Sequence, residues 1–201
     1  MIVLKVLELL KYPQKGTGVI LKMDSHLLVV VGKEIYWDKT TKPWTITYTN
    51  TGGHVEVGET IEEATKREVQ EELDCDVTFF TSETTYYCEL ENPKLKRIPV
   101  KDKLAPVLVY NSSEIQMSVC VYLAEIISEP FPHQEVPAIM YIPLSLLKGG
   151  QLKTMLNRGC LIKEQKTNFL SRDAIMKPFG SINIIAANLD YFKKLPFFRS
   201  L

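Results

Sequence analysis

The sequence contains no Cys-x-x-Cys pair: its 4 cysteines, Cys75, Cys88, Cys120 and Cys160, lie far apart. That spacing excludes a small disulfide-rich frame, so they read as reduced core or surface thiols. Net charge is also missing, with 24 basic against 24 acidic residues. Without an overall excess of positive charge, long nucleic acid is not an expected partner. No apolar run is long enough to span a bilayer. The oily start, Met1 to Leu10, is too short, is interrupted by Lys5 and Glu8, and leads to no small-residue cleavage site. These absences predict a cytoplasmic protein with no membrane partner. Neither an internal repeat nor a low-complexity linker is present, and 201 residues are enough for one domain, residues 1–201, with a real core. The 3 histidines are scattered, and His26 and His133 are too isolated to propose as ligands.

What the chain does have is acid where a helix should be apolar. Thr60 reads as an N-cap and Glu63, three residues on, completes a capping box, which predicts a helix from about Ile61 to Leu73. At about 100° per residue, Ile61, Ala64, Val69 and Leu73 share one broad side. Glu68 and Glu72 fall within that side, and Glu71 lies on its flank beside Ala64. Two glutamates four apart cost a helix a few tenths of a kcal/mol, roughly, and partial burial costs several times more. A cation should therefore sit there. Carboxylates at this spacing suit a hard divalent ion such as Mg²⁺ or Mn²⁺. Taken alone, the pattern leaves open a merely solvated acidic face.

The wider spacing resembles the signature of the Nudix hydrolases: Gly53, five residues, Glu59, seven residues, Arg67-Glu68, an apolar residue, one more, then Glu71-Glu72. The run from Trp44 to Gly53 is similar to the strand and loop that lead into this motif. Two positions depart from the family pattern. Leu73-Asp74-Cys75 has Asp where Gly is usual at the helix end, and Thr51 replaces a Pro before the paired glycines. Asp tolerates the left-handed conformation of a helix end, so the expected cost is in stability and not in chemistry.

The resemblance implies an α/β fold, the Nudix α/β/α sandwich with a mixed β-sheet, covering about Gly18 to Leu147, with a C-terminal helical extension over about 150–201. It implies that Glu68, Glu71 and Glu72 hold Mg²⁺ or Mn²⁺, with Glu68 able instead to activate water. Arg67 would orient the glutamates, and Glu59 would brace the loop or touch an outer metal water. Gly52, Gly53 and His54 would line the substrate. Family members often add a later carboxylate, for which Glu135 is the candidate and Glu129 its competitor. The implied reaction is metal-dependent hydrolysis of a phosphoanhydride bond in a small nucleoside diphosphate linked to another group. The alternatives are a sensor module of the same fold that binds a nucleotide metabolite without cleaving it, and isomerase chemistry on an isoprenoid diphosphate. Acid concentrated at this helix would repel phosphates, so any metal must form part of the substrate-binding surface.

Outside the motif, Val19 to Leu21, Leu27 to Val31, Trp44 to Tyr48, Val77 to Cys88, Ala105 to Tyr110, Ser118 to Ile127 and Ala138 to Pro143 read as strands. A short helix is expected at Leu144 to Leu147. In the tail, Gln151 to Lys163 could be helical despite Gly159, and Ile182 to Lys194 is a better helix, ended by Pro196. Phe197 and Phe198 read chiefly as core residues, with a homodimer contact as the other expectation. Tyr36 and Trp37 lie in a polar insertion, Gly32 to Pro43, where a ring could stack on a purine; Trp37 is the candidate substrate contact, with core packing the competing reading. Substrate markers known in some subgroups are not well placed: Pro93 falls slightly late for one, and Tyr86 and Tyr87 fall early for another.

Overall fold

The computed structural model describes residues 4–165 and 173–201; the first three residues of the apolar start lie outside them. Strands β1 (Gln14–Met23) and β2 (His26–Val31) form a hairpin, followed by β3 (Thr45–Thr49) and helix α1 (Ile61–Leu73). Then come β4 (Val77–Phe80), β5 (Thr85–Glu89), β6 (Asn92–Ile98), β7 (Leu108–Ser112), β8 (Met117–Ile126) and β9 (Ala138–Ile142). A 3-10 turn at Leu144–Leu146 leads to β10 (Gly150–Gln151), α2 (Leu152–Asn157), β11 (Leu161–Glu164) and β12 (Ile175–Pro178). Three short helices close the chain: α3 (Gly180–Ala187), α4 (Leu189–Phe192) and α5 (Pro196–Arg199).

The main path of the sheet runs β10-β12-β3-β2-β1-β8-β7-β5-β6, with β4 added to β8 and β9 joining β2 to β11. It is mixed: β1 and β8, β5 and β7, and β3 and β12 are parallel pairs, and the others are antiparallel. Side chains alternate between two apolar layers, as a strand period of two requires. Leu27, Val29 and Val31 point to one layer and Leu28 and Val30 to the other. The first layer is covered by Ile182, Ile185, Phe192 and Phe198 of the C-terminal helices, the second by Ile61, Val69 and Leu73 of α1. Helices on both faces make this an α/β/α sandwich, as the sequence implies.

Several boundaries differ from the sequence reading. The run from Val77 to Cys88 is two strands, because Ser82 accepts from the Thr84 N–H and donates to the Thr84 carbonyl, turning the chain between them. The expected helix over Gln151 to Lys163 stops at Asn157; Gly159 has a φ of 95°, and the chain leaves as β11. The helix over Ile182 to Lys194 starts earlier, at Gly180, and breaks at Asn188, whose side-chain amide donates back to the Ile184 carbonyl at 2.9 Å. Pro196 does not simply end a helix but opens α5. Phe197 and Phe198 are buried, with ring centroids 5.3 Å apart. All four cysteines are free and buried. No helix among the described residues is long and apolar enough to cross a membrane.

Candidate active site

Helix α1 begins with the capping box expected of Thr60 and Glu63 and ends at Asp74 in the left-handed conformation (φ 46°, ψ 45°). Its buried stripe, Ile61, Ala64, Thr65, Val69 and Leu73, packs it on the sheet. That packing fixes the rotation of the helix and so aims Glu68 and Glu72 at the Gly52-Gly53 backbone. The Gly52 N–H donates to Glu72 Oε2 at 3.3 Å. A Cβ added to Gly53 would stand 2.2 Å from Glu68 Oε1, so the glycine leaves a cradle that the carboxylate fills.

Arg67 ties the acids together. Its Nε and one Nη2 hydrogen hold both oxygens of Glu59 (2.8 and 3.1 Å), Nη1 reaches Glu68 Oε1 (2.9 Å) and Glu71 Oε2 (3.1 Å), and Nη2 also donates to the His54 carbonyl (2.9 Å). Glu59 in addition accepts from the Glu56 N–H at 3.0 Å. These bonds tie Glu59 to the loop and to Arg67 at once.

The electrostatics are those of an acid cluster short of positive charge. Burial, reinforced by the charge of Glu68, pushes the Glu72 carboxyl up to about 8, against the opposing pull of the Gly52 N–H, the Thr51 hydroxyl and Lys33. Burial also raises Glu68, partly offset by Arg67, while the neighbouring Glu71 adds to the rise. Among the described residues no three His, Cys, Asp or Glu side chains already converge as a finished ion cage. Glu71, the most open of the three glutamates with 40% of its side-chain surface exposed, turns toward Arg67. The donor set nevertheless fits a hard divalent ion: carboxylate oxygens only, mutually repelling, beside a cradle free of Cβ atoms.

Glu135 lies in a loop docked on the end of α1. The Phe131 N–H donates to the Leu73 carbonyl (2.7 Å) and the His133 N–H to the Glu72 carbonyl (2.9 Å). His133 Nδ1 sits 3.2 Å from the Glu71 carbonyl oxygen. Glu135 itself is exposed and paired with Lys33, and Lys33 in turn acts on Glu72. Glu129 is drawn away to Lys163 at 2.6 Å. Lys33 is the residue that sequence reasoning missed: a lone lysine in a polar insertion carries no spacing signal. Trp37 is buried, gives its indole N–H to the Gly32 carbonyl at 2.6 Å and lies against Trp44, with centroids 6.4 Å apart. That is a packing position, and it corrects the expectation of a substrate contact; the exposed ring of the insertion is Tyr36.

A family model for the NUDIX domain matches residues 12–148, well over half of the chain. The chain belongs to the Nudix family. No curated protein is significantly similar to it in sequence. Similar solved structures include a NUDIX hydrolase from Nitrosomonas europaea, with 16% identity, a TM-score of 0.42 and coverage of 67% of this chain and 62% of that one. An ADP-ribose pyrophosphatase from Streptococcus suis has 16% identity, a TM-score of 0.44 and coverage of 66% and 75%. A MutT NUDIX hydrolase from Burkholderia pseudomallei has 19% identity, a TM-score of 0.42 and coverage of 67% and 86%. This chain spans less than two thirds of the Nitrosomonas protein. Membership rests on the sequence match, which contains the whole Glu59 to Glu72 constellation of this Nudix chain.

Two hollows flank the Nudix loop. The larger, about 850 Å³, opens at the start of α1 and is edged by Glu56, Glu59, Glu62 and Asp102 against Lys15 and Lys103. Its acidic rim is ill suited to a polyphosphate. The smaller, about 180 Å³, lies against Gly52, Gly53 and His54.

Proposed function

We propose that this Nudix protein is a metal-dependent hydrolase that cleaves a phosphoanhydride bond in a small nucleoside diphosphate linked to another group. The observation that carries the reading is the pairing of Glu68 with Glu72, whose carboxyl is raised to about 8, beside the Gly53 cradle. A protein that only needed a stable helix would gain nothing from burying like charges there.

In this reading Glu71 and Glu72 would hold Mg²⁺ or Mn²⁺ together with Glu68, or without it where Glu68 serves instead as the base, and Glu135 would be a further ligand once released from Lys33. A divalent ion held there would supply neutralisation of charge on the phosphoryl oxygens and a more acidic water. Arg67 holds Glu68 by Oε1, which leaves Oε2 to take the proton of the attacking water. Glu59 keeps the guanidinium from swinging out of line. Gly52, Gly53 and His54 form the backbone wall along which the diphosphate lies.

The test is a panel of nucleoside diphosphate derivatives incubated with Mg²⁺ or Mn²⁺, with products resolved by chromatography. Metal-dependent cleavage is expected, and Glu72→Gln should lower turnover by at least about a hundredfold, because loss of even an outer partner of a metal site costs 10- to 100-fold. Near-normal turnover in a folded Glu72→Gln protein would refute the assignment. Tight binding without turnover across the panel would instead favour the sensor reading.

A further inference from the structure

The smaller hollow is built from two parts of the chain. One wall is the Nudix sheet, with Gly16, Tyr110 and Val119; the other is Phe179, Gly180 and Ser181, which lie beyond the 12–148 family match. No Lys, Arg, Asp or Glu lines it. It therefore suits an uncharged part of a ligand and leaves phosphates to the glutamate side of Gly53. At about 180 Å³ it is smaller than the roughly 300–1,000 Å³ typical of whole-ligand pockets, so it holds one ring system and not an entire nucleotide.

Its polar groups are mostly spent on each other. Asn50 donates to the Thr51 carbonyl at 2.8 Å and accepts from Ser181, and Thr17 is bonded to Thr65. Besides the His54 ring at the mouth, the group left over is Tyr110. It is 8% exposed, and its hydroxyl has no hydrogen-bond partner among the described residues. Phe179 lines the hollow with 64% of its surface open, so its ring offers a face that a ligand can cover. An exposed aromatic face beside an unspent hydroxyl that opens into the hollow suits a planar heterocycle with a polar edge.

We infer that this hollow is the base subsite: the nucleobase of the substrate stacks on Phe179 of the C-terminal segment and its edge bonds the Tyr110 hydroxyl of β7, so residues outside the Glu59 to Glu72 motif hold the nucleoside. The inference rests on the proposed nucleotide substrate. A phenolic hydroxyl can donate or accept, so it can meet the edge of any base and discriminates weakly among them. The subsite thus requires a ring but tolerates which ring.

The experiment is ligand-observed saturation-transfer NMR on the full chain in excess chelator, with adenosine, guanosine, cytidine and uridine as probes and ribose as the ringless control. Because neither metal nor turnover is involved, failure of the hydrolase reading leaves this readout intact. Wild-type protein should bind all four nucleosides within about tenfold of one another, saturate base protons most strongly, and leave ribose unbound. Phe179→Ala should weaken binding roughly tenfold or more, as loss of a base-stacking ring does. Tyr110→Phe, which keeps the ring and hence the packing, should weaken it about three- to tenfold, the range for one hydrogen bond. Absence of nucleoside binding in the wild type, or wild-type affinity in both variants, would overturn the assignment. A hundredfold preference for one base would overturn its tolerance.

Discussion

Arg67 commits each of its five donors to a different oxygen: two on Glu59 and one each on Glu68, Glu71 and the His54 carbonyl. At this scale the motif's spacing explains itself, since only a planar fork can hold loop and helix at once. The two glycines facing the helix are likewise different in kind. A methyl at Gly52 would meet the Thr17 carbonyl oxygen at 2.2 Å and Gly18 Cα at 2.7 Å, both backbone atoms that cannot yield. At Gly53 it would meet only the end of the Glu68 side chain. Gly52→Ala should therefore lower the melting temperature markedly, whereas Gly53→Ala should fold with a change within about 1 kcal/mol but lose most turnover through a displaced Glu68. Thermal melts beside turnover measurements separate the two, and equal destabilisation would contradict the geometry. Glu68 and Glu72 were legible because the helical period put acid where apolar residues belong, and Glu71 because it completes the motif spacing. The burial of Trp37 was not, since it depends on the Gly32 carbonyl and on Trp44, which no local spacing brings together.

Among the elements, α1 was readable to the residue, for its cap, its stripe and its end are all local signals. Strand β6 was not foreseen. It is an edge strand of mostly exposed residues, Asn92–Ile98, carrying Pro93, Lys94, Lys96 and Arg97, and such edges are charged to prevent pairing with other chains. Nor was β12, a short strand defined by its partner β3 and not by its own composition. The end of α1 yields a second prediction. Asp74 occupies a conformation that costs a non-glycine residue about 1–2 kcal/mol, and it places a negative charge at the negative end of the helix dipole. Glycine relieves both but is looser when unfolded, by about 0.5–1 kcal/mol. Asp74→Gly should raise the melting temperature by roughly 2–4 °C, the usual yield of 1 kcal/mol in a chain of this size, with turnover unchanged. A large gain in rate would mean that Asp74 takes part in the chemistry.

For the molecule as a whole, the acid cluster makes stability depend on pH and metal together. Glu72 holds its proton to about pH 8 when folded but releases it near 4.5 when unfolded. Between those values the unfolded chain binds fewer protons than the native one, so the stability of metal-free protein falls as pH rises through that window and levels off above it. Glu91, lowered to about 2 by Ser112 and nearby N–H groups, acts only at lower pH. Melting curves in chelator from pH 5 to 8 should thus decline for wild type and stay flatter for Glu72→Gln, and Mg²⁺ should restore the wild type at pH 8. A Glu72→Gln curve as steep as wild type would assign the slope to other groups. The substitution that stops catalysis should then be the one that relieves the empty fold.

Strand β3 leads straight into the Gly52-Gly53 loop, yet β2 reaches it only at Val30–Thr49 and Val31–Tyr48, whereas β12 runs beside it from Thr45 to Tyr48. During synthesis, β3 waits with one edge bare until residues 175–178 have left the ribosome. Through that interval the sandwich can begin to assemble, but the strand that leads into the Gly52-Gly53 loop still lacks one of its two neighbours. The loop that carries Gly52 and Gly53 is therefore braced on both edges of β3 only after residues 175–178 are made, and the open edge is a point at which a stalled nascent chain is exposed to aggregation.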